Sequence, residues 1–283
     1  GTLWCWGEGA DGQLGEGSYL PSSTPLQVGH DVDWTHVTAG LEFTCGLRAP
    51  GSLWCWGTSG VGALGLGPEA SVPVPARVGQ DADWKTVAAG YSHVCALKED
   101  GSLWCWGADN AGQGADGPAD TQSSLVPKRV ADGPYDILFA GGDTSCASRD
   151  GGGLWCWGRN SGNEAGTSTP SILHDPVEVS SLTGWTGGAL TYGMGCGLRA
   201  GELHCWGTGA TPVTVLPAET EAPVRVGTAT GYTSVALSQE HACTVRDGTL
   251  ECWGANYFGQ LGDGTLDDRE QPVPVAAGGP WSD

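Results

Sequence analysis

No run of 18 apolar residues occurs in the 283-residue chain, so no membrane-spanning helix is predicted. Basic residues are scarce. Twelve Lys and Arg stand against 32 Asp and Glu, for a net charge of −20. Such a polyanion repels phosphate backbones, which argues against nucleic acid as a partner. The same charge favours solubility and attracts basic partners or divalent cations. No Cys-x-x-Cys is present, and no cysteine pair brings a local third and fourth ligand, so zinc is not expected at the cysteines. Gly-x-Ser-x-Gly, His-Glu-x-x-His and a glycine-rich phosphate loop ahead of a helix are all missing. No catalytic residue is therefore assigned, and the chain is read as a non-enzyme. No stretch holds a 3.6-residue apolar period long enough for a helix. The first residue is Gly1 and no signal peptide precedes it, so the sequence is read as processed or excerpted.

What is present is repetition. The chain holds 49 Gly, 17 Pro, 14 Trp and 11 Cys. The glycines follow no three-residue period, which points to tight turns rather than collagen. Trp-Gly recurs at Trp6, Trp56, Trp106, Trp157, Trp206 and Trp253, a spacing of 47 to 51 residues. Such a period signals a solenoid or propeller array. A valine follows each Trp-Gly (Val28, Val78, Val130, Val179, Val226, Val275). Six residues later come Trp34, Trp84, Asp136, Trp185, Tyr232 and Trp281. Short apolar runs split by Gly, Pro and Asp read as strands. The expected fold is an all-β propeller, one domain over 1–283, with units at 1–33, 34–83, 84–135, 136–184, 185–231 and 232–283.

The cysteines fix the local register. Five pairs stand nine or ten residues apart: Cys45/Cys55, Cys95/Cys105, Cys146/Cys156, Cys196/Cys205 and Cys243/Cys252. If each pair faces across a hairpin, the nine-spaced pairs leave two-residue loops, Ala200-Gly201 and Asp247-Gly248. Asp-Gly is the favoured type I′ turn. The ten-spaced pairs leave three residues with Gly last: Ala49-Pro50-Gly51, Glu99-Asp100-Gly101 and Asp150-Gly151-Gly152. Spacing and turn chemistry change together, so five cross-strand disulfides are expected, and with them an oxidising, extracellular compartment. Side-chain alternation puts the flanking tryptophans on the face opposite the cysteines. Their cross-strand partners are small (Gly46 and Thr44 against Trp54 and Trp56), which suits indoles packed between blades.

Ala-Gly, Cys-x-Leu, Asp-Gly, Leu-Trp-Cys-Trp-Gly, Gly-Gln-Leu-Gly and Pro-x-x-Val, in that order, resemble the repeat of the regulator of chromosome condensation (RCC1) family. The resemblance is strongest over 31–67, 81–107 and 241–275 and weakest over 208–222. It implies a propeller of four-stranded blades, commonly seven. The cysteine pairs make the chain similar to secreted, cysteine-rich bacterial RCC1-like proteins. The family's guanine nucleotide exchange and chromatin binding fit poorly with disulfides and a −20 charge. A secreted relative that plugs β-lactamase active sites shows the scaffold's use as an inhibitor.

Cys5 has no partner at repeat spacing, and the sequence ends one residue pair beyond the aromatic Trp281. The pattern reads first as an excerpt of a longer array. A ring closed with six blades, or a gap filled by a strand from another molecule, are the alternatives. Phe43, His93, Thr144, Met194 and His241 share one repeat position and form a candidate binding face. His204 replaces a repeat Trp and is expected to be exposed. Asp263, Asp267 and Asp268 are weak candidate Ca²⁺ ligands in what also reads as a plain turn. The loops after each Trp-Gly vary most, which is where a rigid frame usually chooses partners. The reading is a non-enzymatic extracellular scaffold for protein binding or assembly, with a fibre or surface-layer subunit and a secreted inhibitor as alternatives.

Overall fold

A computed structural model describes residues 1–68, 71–117, 122–149, 151–208 and 220–276. Among them every regular element is a strand. A two-stranded sheet comes first: β1 (Trp4–Gly7) and β2 (Ser22–Gln27). Five four-stranded blades follow. They are β3–β6 (Trp34–Ala39, Phe43–Arg48, Ser52–Thr58, Ser71–Arg77), β7–β10 (Trp84–Ala89, His93–Lys98, Leu103–Gly107, Ser124–Ala131) and β11–β14 (Tyr135–Gly141, Thr144–Arg149, Leu154–Arg159, Ile172–Ser180). The last two are β15–β18 (Trp185–Thr191, Met194–Arg199, Glu202–Gly207, Thr220–Arg225) and β19–β22 (Tyr232–Leu237, His241–Arg246, Thr249–Gly254, Arg269–Pro274). Each blade is an antiparallel meander in chain order. The first strands of successive blades lie side by side, β3 by β7, β7 by β11, β11 by β15 and β15 by β19. They line a central channel.

The cysteine register is as expected. Cys45↔Cys55, Cys95↔Cys105, Cys146↔Cys156, Cys196↔Cys205 and Cys243↔Cys252 face one another across the second and third strands, and all five pairs are disulfides. Asp247 and Gly248 both take positive φ (50° and 76°), as do Ala200 and Gly201, so these are type I′ loops. In the hairpins at Gly51 and Gly101 the closing glycine carries positive φ. The hairpin of Cys146/Cys156 differs. Gly152 N donates to Arg149 O (2.7 Å) just as Gly51 N and Gly101 N donate in their hairpins, but here Gly151, the third residue of the turn, takes φ 65° instead of Gly152. A second correction concerns the start of β11. Tyr135, not Asp136, fills the repeat aromatic position: it pairs with Arg149 as Trp34 pairs with Arg48, and it is buried. Trp281 lies outside the described residues.

Four of the Trp-Gly indoles each fix one blade to the unit before it. Trp56 Nε1 donates to Gln13 O (2.9 Å), Trp106 to Ala63 O (2.9 Å), Trp157 to Gln113 O (3.1 Å) and Trp206 to Glu164 O (2.8 Å). Each acceptor sits seven residues past the previous Trp-Gly tryptophan, in the Gly-Gln-Leu-Gly loop. Gly15 closes that loop against the indole, where a Cβ would lie 2.5 Å from Trp56 Nε1. Close approach thus requires glycine at this place, whereas Ala115 takes the equivalent place in the third such loop at φ 55°.

Each staple closes a short loop, so removing one is expected to cost about 2–3 kcal/mol in a chain-entropy account. Urea denaturation of the Cys95→Ala/Cys105→Ala double variant measures it as a lower midpoint.

Candidate binding face at the channel mouth

The turn between the first and second strand of each blade presents one side chain to the channel. Leu41, Tyr91, Gly142, Tyr192 and Gln239 hold this position. All of these but Tyr192, together with the ends of the first strands, line a space of about 480 Å³. The turns are tied blade to blade through backbone: Leu41 N donates to Tyr91 O (3.1 Å) and Tyr91 N to Gly142 O (2.8 Å). The Tyr91 and Tyr192 rings meet edge to face at 4.9 Å. Gln239 Nε2 donates to Tyr91 Oη (2.9 Å), across the mouth from the fifth complete blade to the second.

Beside the mouth, Asp143 accepts from Tyr192 Oη (2.9 Å) and from Gln113 Nε2 (3.2 Å). Burial, then the hydrogen bond to the Asp143 carboxylate, push the Tyr192 phenol up to about 12. The Arg159 guanidinium lies 5.0 Å over the Tyr192 ring and 3.4 Å from the buried Glu164. The mouth therefore offers neutral hydroxyl and amide groups and two aromatic rings, held by a polar network spanning three blades. These groups recognise a partner by hydrogen bonding and ring contact.

The residues expected to form a binding face do not present one. Phe43, His93, Thr144 and Met194 are buried, and His241 is half-buried. Their chains fold under the turn: a Cβ at Gly40 or Gly90 would sit 2.1 Å from the Phe43 or His93 ring. Two residues earlier, Leu41 and Gln239 are exposed, Tyr91 and Tyr192 half-buried and Gly142 buried. His93 Nε2 lies 2.8 Å from Ser145 Oγ, and both side chains are sealed from solvent, so no substrate reaches this pair. Burial drives the His93 imidazole down to about 4 against a smaller upward pull from Asp143. His204 is buried as well: its ring meets Trp185 at 5.5 Å and its Nε2 approaches Glu202 (3.1 Å).

The carboxylates of Asp263 and Asp268 are engaged within the chain. Asp263 accepts from Thr265 N and Oγ1 (2.9 and 2.8 Å), Asn256 Nδ2 (3.2 Å) and Arg269 Nε (2.6 Å). These bonds, those from Thr265 first, hold its carboxyl down at about 2. Asp268 accepts from Asn256 N (2.8 Å), and Asp267 donates its own N–H to Thr265 Oγ1 (3.3 Å). Among the described residues no group of three or more His, Cys, Asp or Glu is placed to hold a metal ion.

One recurrent feature escaped the sequence reading. Arg48, Lys98, Arg149, Arg199 and Arg246 each stand three residues after the second-strand cysteine, and they are five of the chain's 12 Lys and Arg. Arg48 lies over Trp34 and Trp54, Lys98 over Trp84 and Trp104, and Arg149 over Tyr135 and Trp155, all at 4.9–5.6 Å. Acids close the cage: Asp31 and Asp33 on Arg48, Asp81 and Asp83 on Lys98. Where the second tryptophan is missing, the third strand supplies the acid instead, Glu202 near Arg199 and Glu251 on Arg246. The signal was the fixed spacing of a rare charge.

Five disulfide-stapled, four-stranded blades around a channel define a β-propeller. Regulator of chromosome condensation (RCC1) repeats match residues 1–47, 50–97 and 84–113, so this part of the chain carries RCC1 repeats. Human WBSCR16 superposes over 99% of this chain and 78% of its own, at TM-score 0.84 and 22% identity. Saccharomyces cerevisiae Prp20p, a protein with binding properties toward Gsp1p and histones, covers 97% of this chain and 85% of its own (TM-score 0.69, 17% identity). Yeast RCC1 (Prp20) bound to Kap60 gives TM-score 0.68 at 16% identity, over 97% of this chain and 83% of its own. At these identities the likeness is one of fold. No curated protein matches the sequence.

Proposed function

We propose that this chain is a non-enzymatic extracellular scaffold that binds a protein partner at the channel mouth. The Tyr91–Tyr192–Gln239 cluster carries the reading, because it places aromatic and amide groups on a frame that five disulfides and four indole bonds hold rigid. Protein partners of Prp20p and of Kap60-bound yeast RCC1 support the same use of the scaffold. The −20 charge favours a basic partner and faster encounter at low salt. Five disulfides fit an oxidising compartment. Guanine nucleotide exchange is not assigned, and stimulated nucleotide release from a small GTPase would revise this.

The test is cross-linking in the native extracellular medium, followed by titration of the purified partner. Tyr91→Ala and Tyr192→Ala are expected to weaken binding about tenfold each, the scale of an aromatic anchor. An unchanged Kd in both variants would move the site elsewhere, and the absence of any saturable complex would sink the scaffold reading.

A second reading, a subunit of an extracellular assembly, is favoured by one observation. Trp4 and Trp6 are 48% and 60% exposed on β1, whereas Trp56 at the equivalent position of the next blade is buried. An inhibitor is the same scaffold with an enzyme as its partner.

A further inference from the structure

The same turn and loop recur where blades meet at the channel mouth, but different residues fill the space between them. In the β11–β14 blade, Arg159 stands two residues after Trp157, and its backbone N–H donates to Asp143 O (2.9 Å). Its guanidinium lies 5.0 Å over the ring of Tyr192, the mouth residue of the next blade, and 3.4 Å from the buried Glu164. A planar cation thus closes the space between these two blades.

Thr58 holds the same place in the β3–β6 blade. It stands two residues after Trp56, and its backbone N–H donates to Glu42 O (2.9 Å). Tyr91 of the next blade is the counterpart of Tyr192. The threonine side chain serves the other direction: its Oγ1 donates to Asp11 O (3.3 Å) in the unit before. A groove of about 120 Å³ is left between the blades, walled by Leu41, Glu42, Val61, Tyr91 and Ser92.

The acid of this groove is uncommitted. At the Arg159 junction, Asp143 is held by Tyr192 Oη and Gln113 Nε2. Here Tyr91 Oη takes its bond from Gln239 instead, and the exposed Glu42 carboxylate has no hydrogen-bond or ion-pair partner among the described residues. Leu41 and Val61, 61% and 38% exposed, give the groove an apolar border. The junction between the β7–β10 and β11–β14 blades has neither feature: Gly142 replaces the ring, and Ala111, at the place of Val61, is buried. The five mouth turns, 40–43, 90–93, 141–144, 191–194 and 238–241, hold three acids and no Lys or Arg, so the surface suits a cation.

We propose that this groove receives an arginine side chain of the protein partner, its guanidinium stacked on Tyr91 and paired with Glu42, as Arg159 stacks on Tyr192 two blades on. The aliphatic stem of the arginine lies against Leu41 and Val61. Lysine supplies the charge but not the planar stack. The inference rests on the channel-mouth reading and gives its partner a chemistry, a loop that leads with arginine.

The probe is a phage-displayed library of random loops on a cysteine-free scaffold, panned on the full chain. The selected loops are expected to share an arginine, and lysine in its place to weaken binding severalfold. Glu42→Gln, at an exposed side chain, is expected to weaken binding roughly fivefold, the scale of one charge-assisted bond near the surface. Thr58→Arg builds the Arg159 arrangement into this groove and is expected to abolish binding, with an unchanged urea midpoint showing that the variant folds. Selected loops without arginine would overturn the proposal. Loops that need Tyr91 and Tyr192 but ignore Glu42→Gln and Thr58→Arg would overturn it too, and leave the channel-mouth reading standing. Loops that ignore all four changes, or a library that yields no specific loop, would overturn both.

Discussion

Trp106→Ala is expected to lower stability by roughly 3–5 kcal/mol, the range for deleting a buried indole that leaves a cavity. Trp106 is 1% exposed and joins two blades at once. It packs with Val78, Trp84 and Val94, and its Nε1 donates to Ala63 O of the preceding blade. Gly65 lies against the same ring and has no side chain with which to fill the void. Trp106→Phe keeps most of the volume but strands the Ala63 carbonyl, so it is expected to cost about 1–3 kcal/mol, the desolvation of one buried acceptor. Calorimetry with urea titration separates the two variants. A loss below about 1 kcal/mol for the alanine variant would mean that the blades are held by strand edges and disulfides rather than by the Trp-Gly indoles.

The parts of this fold that were legible in the sequence were local. A cross-strand disulfide and a two-residue Asp-Gly loop fix each other within ten residues, so Cys243, Asp247, Gly248 and Cys252 gave the register outright. The Trp-Gly spacing gave the blades for the same reason. What failed depended on neighbouring blades. His93 and His241 share a repeat position and look alike in sequence. Yet His93 is sealed by Gly90 and by Ser145 of the next blade, while His241 stays half-buried against Ser238. His204 looked like an exposed replacement of tryptophan, but Trp185 and Glu202 give it a partner on each side. Asp136 stands at the usual six-residue step from the repeat valine, but in this blade the step is one residue shorter, so Tyr135 meets Arg149. Asp136 instead accepts from Ser148 Oγ and Gly151 N, bracing the hairpin it adjoins. The channel mouth was missed because its two tyrosines lie about a hundred residues apart and meet only when the blades curve around the axis.

His93 makes the propeller acid-sensitive in a window set by its own burial. Above the unfolded imidazole value of 6.5 it is neutral in both states and contributes no pH dependence. Between 6.5 and about 4 the unfolded chain takes up a proton that the folded chain refuses, so stability falls as pH falls. The full loss is roughly 3 kcal/mol, reached near pH 4, by the conversion of about 1.4 kcal/mol per pKa unit. The chain itself supplies the control, because Phe43 holds the equivalent place in the preceding blade under the equivalent glycine. His93→Phe is therefore expected to fold and to flatten the wild-type loss between pH 6.5 and 4. Asp263 titrates lower: its folded carboxyl is held near 2, so its contribution is lost only as pH falls from about 3.8 toward 2, below the histidine window. Urea midpoints of both proteins at pH 7, 5.5 and 4 decide the matter. Parallel curves would mean that His93 is protonated in the fold, with Asp143 as counter-ion prevailing over desolvation.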